Sequence, residues 1–223
     1  MPILKQRITT AGIDVSYYQE NVDWAAVAAS GIRYAFLKAT EGAASVDRAF
    51  AKNRAKAAQA GLLRGAYHFF SPASSAQAQA SLFLRTVGKL EPGDLPPVLD
   101  LEAPDHWAGT AHPERIGMIT EWLDAVETAL SVTPIVYLSP AFAAEILNND
   151  PALVRHPVWL AHYTEAVGPR VPKPWVSWTF WQHTHGGHIP GIATPVDLNW
   201  YNGSLEDLHS ITVKAPPAFP AAS

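Results

Sequence analysis

The chain has 223 residues, 48% of them hydrophobic and 16% charged, with a formal net charge of -4 and no cysteine. That is enough apolar chain for one substantial core, so residues 1–210 are expected to form a single domain and the Pro/Ala-rich stretch 211–223 a trailing tail. The composition excludes several classes: no basic cluster is present to neutralise nucleic-acid phosphates, no thiolate is available for disulfides or metal, and no run approaches the roughly 18 apolar residues of a membrane span.

In chain order, short apolar β-rich runs alternate with helical patterns. Strands are predicted over 11–15, 34–39, 65–70, 97–102 and 134–138, and helices over 23–29, 47–60, 75–87, 113–130 and 140–147. The fourth helix is the clearest, because Ile116, Ile119, Trp122, Leu123, Val126 and Leu130 recur at helical spacing on one face. Three further strands are predicted over 158–162, 178–182 and 196–200, but their links carry Pro169, Pro172, Pro174, Gly186, Gly187, Pro190, Gly191 and Pro195. Links of that composition do not hold a crossover helix. The pattern describes an α/β protein, an irregular β/α barrel whose regular part is followed by strands joined by loops or hairpins; a doubly wound open sheet is the alternative.

In a parallel barrel, chemistry gathers where strands end, at the C-terminal face. Four acids occupy such positions: Asp14, Asp100, Glu102 and Asp197, each embedded in apolar strand sequence. An acid at a strand end ordinarily caps a helix or pairs with a base. Four of them in a chain so poor in charge need a further reason. Strand alternation puts Asp100 and Glu102 on one face, about 6 to 7 Å apart, with Val98, while Leu99 and Leu101 point to the helices. Two carboxylates in one cavity repel, which raises the pKa of one and supplies the general acid that glycosidic bond cleavage requires.

Other residues offer a second reading. His183, His185 and His188 form a His-x-His-x-x-His run that, with His162 or Asp197, would suggest a metal-dependent amidase or deacetylase, but the spacing matches no established zinc signature and reads more simply as a polar loop. No metal or other cofactor is therefore expected. Tyr67 and His68 alternate about their strand, so only one faces the cavity.

Taken together, GIDVSYYQ (12–19), DW (23–24), YAFLKATEG (34–42), GAYHFF (65–70), DLE (100–102), WLAHY (159–163), WQ (181–182) and VDLN (196–199) resemble the Chalaropsis-type lysozymes, family 25 of the glycoside hydrolases. The resemblance implies a TIM-like barrel of five β/α-type and three β-type strands. It implies an N-acetylmuramidase that hydrolyses the β-1,4 bond between N-acetylmuramic acid and N-acetylglucosamine in bacterial peptidoglycan with retention. Carried over by position, Glu102 is the general acid, Asp100 its partner assisting the substrate's acetamido group, and Asp14 and Asp197 further acids of the cleft. Lys38, Glu41, Tyr67, Tyr137, Trp159, Tyr163, Trp181 and Gln182 fall on matching segments as candidate substrate contacts; Tyr67 is placed inward on these grounds and His68 under a helix. A non-catalytic carbohydrate-binding barrel would have no need of the four acids. A monomer acting on the cell wall, extracellular or periplasmic, is expected. The N-terminal residues show no secretory signal, so export runs by another route or through a signal outside these 223 residues.

Overall fold

The computed structural model describes residues 8–214. Its sheet is a closed barrel with a small addition. The strands are β1 (Thr10–Val15), β2 (Tyr34–Glu41), β3 (Ser45–Val46), β4 (Leu63–Phe69), β5 (Val98–Asp100), β6 (Ile135–Leu138), β7 (Val158–Ala161), β8 (Phe180–Gly187) and β9 (Val196–Tyr201). They run in the order β1-β9-β8-β7-β6-β5-β4-β2-β3, and a parallel pairing of β1 with β2 closes the ring. The short β3 is a hairpin partner added to the end of β2. The open doubly wound sheet is thereby ruled out.

Helices α1 (Trp24–Ala29), α2 (Phe50–Gln59), α3 (Ala76–Val87), α4 (His112–Leu130) and α5 (Pro140–Glu145) follow β1, β3, β4, β5 and β6. Their starts are chemically marked. Asp23 accepts from the Ala25 and Ala26 N–H groups, Ser75 from Ala78 and Ser139 from Phe142, so orphan donors of α1, α3 and α5 are satisfied. Gly61, at φ 79°, turns the chain out of α2 in a conformation other residues enter at a cost.

The closing part is built differently. β7 reaches β8 through residues 162–179 with no helix among them, yet the two strands pair in parallel, whereas β8 and β9 pair antiparallel and β9 runs antiparallel to β1. Only β9 therefore runs against the other barrel strands.

Strand alternation divides the core in two. Phe36, Val98, Ile135, Trp159, Phe180 and Tyr201 fill the barrel, while Leu37, Leu99, Val136 and Leu160 face outward to Ile119, Trp122, Leu123 and Val126 of α4 and its neighbours. Inside, Gly12 faces Tyr34, and a Cβ there would stand 2.2 Å from the tyrosine ring. The absent side chain makes room for that ring.

Several boundaries differ from the sequence expectation; β8, for one, runs Phe180–Gly187 against an expected 178–182, so His183 and His185 lie on a strand and not in a loop. β5 ends at Asp100, so Glu102 lies beyond the strand, although Leu101 N–H still donates to the Tyr137 carbonyl and prolongs the alternation. A sixth helix, α6 (Leu205–Ser210), is not among the predicted elements; its Leu208 is fully buried among the barrel-filling residues. The chain then exchanges backbone bonds between Val213 and both Gly93 and Asp94, so the domain continues past 210. The remainder of the expected tail, from 215, lies outside the described residues. No helix among the described residues is long and apolar enough to cross a membrane.

Candidate active site

The four acids converge at one end of the barrel. Asp14, Asp100, Glu102 and Asp197 line one pocket with Tyr67, Tyr137, Trp159, Tyr163, Gln182 and His185, enclosing about 220 Å³. Topology brings them together: Asp100 and Glu102 come from the end of β5, and Asp14 and Asp197 stand directly opposite each other in the antiparallel pairing of β1 with β9.

The two pairs have different surroundings. Asp14 Oδ2 accepts from Gln182 Nε2 at 2.9 Å and from Asn199 Nδ2 at 2.8 Å, and its carboxyl shares a further hydrogen bond with Asp197. Those amides are themselves fixed. Gln182 Oε1 accepts from the hydroxyls of Tyr137 (2.9 Å) and Tyr163 (2.7 Å), and Asn199 Oδ1 accepts from the Trp159 indole N–H (2.9 Å). Each amide thus has its oxygen committed to a donor and its N–H directed at Asp14, so its orientation is determined by the network. Burial, then the charge and hydrogen bond of Asp14, push Asp197 up to about 9. At neutral pH Asp197 holds the proton, and Asp14, which faces several donors, is the ionised member despite a pKa that burial also raises.

Asp100 is buried, and its Oδ1 has no hydrogen-bond partner among the described residues. Burial first, and the neighbouring Glu102 second, hold its carboxyl well above the usual range. Glu102 is more open, at the pocket rim, and is also raised, by desolvation and then by the Asp14 charge. Lys38, at the end of β2, opposes both shifts, while its ammonium is held 2.7 Å from Glu41. Lys38 and Glu41 border a neighbouring recess with Tyr17 and Arg48 and do not line the acid pocket itself.

Trp159 is almost fully buried, stacked on Phe36 with ring centroids 4.5 Å apart, and is among the residues that line the pocket. Tyr163, half exposed, stands at the mouth. Trp181 is placed elsewhere. Since Gln182 faces the pocket, alternation sends Trp181 to the outside of β8, where its indole N–H donates to the His162 carbonyl at 2.7 Å and its ring meets Trp178 and His183. Its reading as a sugar contact is corrected to a wall residue between barrel and outer layer.

Tyr67 faces the pocket, and His68 lies behind the strand. The His68 ring nitrogens meet Thr40 Oγ1 at 2.7 Å and Gln79 Oε1 at 3.1 Å, the ring stacks on Trp122, and burial lowers its pKa to about 4, so it is neutral. The histidine run is divided. His183 stacks outside on Trp200, whereas His185 reaches the pocket mouth against Tyr163, ring centroids 4.8 Å apart. No group of three or more His, Cys, Asp or Glu side chains among the described residues is arranged to hold a metal ion.

Sequence reasoning did not place Asn199 or His185 at the pocket. Asn199 stands two residues from Asp197 on one strand, the spacing that singled out Asp100 and Glu102, so the same alternation would have found it. His185 follows a register shift in β8 between Gln182 and Thr184, which sequence periodicity does not reveal.

Carboxylates gathered at the C-terminal end of a TIM-like barrel are an arrangement that glycoside hydrolases use. The chain belongs to the glycosyl hydrolases of family 25, whose family description matches residues 13–192. Among similar proteins, the E. coli K12 chain named uncharacterized protein YegX is 41% identical over 91% of this chain and 73% of its own. Lysozyme M1 of Streptomyces globisporus is 33% identical over 88% of this chain and 69% of its own. The crystal structure of a bacterial lysozyme from Streptomyces coelicolor superposes with a TM-score of 0.87 at 32% identity, covering 91% of this chain and 96% of that one.

Proposed function

We propose that this enzyme is a muramidase of bacterial peptidoglycan, cutting the β-1,4 bond between N-acetylmuramic acid and N-acetylglucosamine with retention of anomeric configuration. The observation that carries the reading is the asymmetry of the acids: Asp100 is buried with an unpartnered carboxylate oxygen beside the raised, more open Glu102, while Asp14 is amply hydrogen-bonded. A buried acceptor without a donor suits a substrate that brings one. The acetamido N–H of the sugar on the cleaved side is such a donor.

In the proposed reaction the acetamido oxygen attacks the anomeric carbon while Glu102 gives its proton to the glycosidic oxygen, and the C–O bond to the leaving sugar breaks. Asp100 accepts the acetamido N–H and stabilises the positive charge of the resulting oxazolinium ion. Glu102, now ionised, takes a proton from water as that water opens the ring from the face the leaving group vacated. Two displacements restore the original configuration. The Asp14–Asp197 pair, with Gln182 and Asn199, forms the polar wall that holds the sugar, and Trp159 and Tyr163 supply aromatic surface to it. The lysozyme names of relatives at 33% and 32% identity support this substrate. Because one chain supplies every pocket residue, the domain is proposed to act as a monomer, on the wall outside the cytoplasm.

Digestion of purified peptidoglycan, with mass analysis of the fragments and NMR of the first anomer formed, tests the proposal. New reducing-end N-acetylmuramic acid of β configuration is expected. A reducing-end N-acetylglucosamine would identify a different bond, and an initial α anomer would overturn the double displacement.

A further inference from the structure

Beside the acid pocket runs a larger groove of about 610 Å³, sharing Glu102, Tyr137 and Tyr163 with it and continuing between α5 and the loop after β7. Its lining is of two kinds. Pro104, Pro140, Phe142 and Ile146 give it an apolar floor, and Glu145 and Arg170 stand on it as opposite charges. Both are exposed, and neither side chain has an ion pair or hydrogen bond among the described residues. Arg170 is nonetheless held in place, because its backbone N–H donates to His162 Nδ1 at 3.2 Å, fixing the loop against the end of β7.

This lining is poorly suited to more glycan. A neutral sugar chain is recognised by hydrogen-bonding amides and flat aromatic faces, as in the acid pocket, and gains little from an apolar floor flanked by separate charges. A short peptide carrying both carboxylates and an amine, with alkyl side chains between, matches it: carboxylate to Arg170, ammonium to Glu145, methyl groups to Pro140 and Phe142. Muramic acid in peptidoglycan carries such a peptide on its lactyl group, and the groove is continuous with the catalytic pocket through Glu102 and Tyr163.

We propose that this groove binds the stem peptide attached to muramic acid, through Arg170 and Glu145, so that peptide-bearing strands are the preferred substrate over peptide-free glycan. The inference rests on the muramidase reading and deepens it.

The experiment compares kcat and KM of the whole chain on two soluble glycan preparations of equal length, one with stem peptides ending in a diamino acid and one stripped of peptide by an amidase. Wild type is expected to show a lower KM on the peptide-bearing strands. A charge-assisted contact of this kind changes affinity by roughly tenfold, so Arg170→Gln is expected to raise KM on peptide-bearing strands about tenfold more than on stripped strands, with kcat nearly constant. Arg170→Lys, which keeps the charge, is expected to recover part of the difference, and the free stem peptide to inhibit wild type competitively but Arg170→Gln weakly. Equal KM on the two substrates for wild type, or an equal loss on both in Arg170→Gln, overturns the peptide groove while leaving the muramidase reading intact. Failure of wild type to release reducing ends from either preparation overturns both.

Discussion

The two acid pairs of the pocket sit within one cavity and differ in almost everything except charge. Asp14 and Asp197 face each other across an antiparallel pairing, share a proton, and are served by amides that tyrosine and tryptophan hold in place. Asp100 and Glu102 leave the end of a three-residue parallel strand, and one Asp100 oxygen is buried without a donor among the described residues. A hydrogen-bonded pair is a stable wall; a buried acceptor left without a donor is an unfavourable arrangement, which the proposed function has substrate relieve. The proposed function accordingly assigns the reaction to the end of β5 and the positioning of substrate to the β1–β9 seam.

Glu102→Gln tests that division most severely. It removes the proton donor at constant size, and kcat should fall by about 10²–10⁴-fold with an unchanged melting temperature. Near wild-type turnover would move the acid elsewhere in the pocket. Asp100→Asn should lower kcat by roughly 10²-fold, since an amide does not stabilise the cationic intermediate as a carboxylate does. Unlike the first change it should raise stability, because it removes a buried carboxyl whose charge is repelled by Glu102. A destabilised Asn variant would mean that Asp100 is satisfied in solution.

On the other side of the comparison, Gln182→Ala strips the Asp14 wall of one donor and leaves the Tyr137 and Tyr163 hydroxyls without their acceptor. A loss of about 1–3 kcal/mol in chemical denaturation is expected, together with a raised KM. Loss of kcat alone, at full stability, would place Gln182 in the chemistry instead.

Asp197→Asn gives a smaller effect with a distinctive pH signature. The folded state of the wild type keeps the Asp197 proton up to about 9, whereas the unfolded chain releases it near 3.8. Between those values the native state binds more protons, so its stability falls as pH rises through that window. The Asn variant keeps a donor for Asp14 and should flatten the fall, visible as a smaller difference between denaturation midpoints at pH 5 and pH 8. An unchanged slope would assign the shared proton to Asp14. Least of all is expected from Trp181→Phe: about 1 kcal/mol lost with the N–H donated to His162, and KM unchanged.

Much of this was readable beforehand where a local rule applied. The helical face of α4 and the alternation of Val98, Leu99 and Asp100 each depend on near neighbours, and each is present. Trp181 was misjudged because aromatic character was weighed without the face its neighbour Gln182 had already taken. α6 escaped because a helix of six residues before a Pro/Ala-rich stretch has little periodicity to display.

The sequence alone determined the succession of strands and helices, the four acids at strand ends, and through its ordered motifs the family, because these depend on residue type and on spacing along the chain. Tertiary structure decided what residue type does not encode. Closure of the ring sets Asp14 against Asp197 across β1 and β9, and the same closure aims Gln182 and Asn199, distant in sequence, at one carboxylate oxygen. Hydrogen bonds among residues 168 and 185 positions apart thus separate a pair of acids that is satisfied from a pair that is not. That separation rests on burial and donor geometry, which exist only once the barrel has closed.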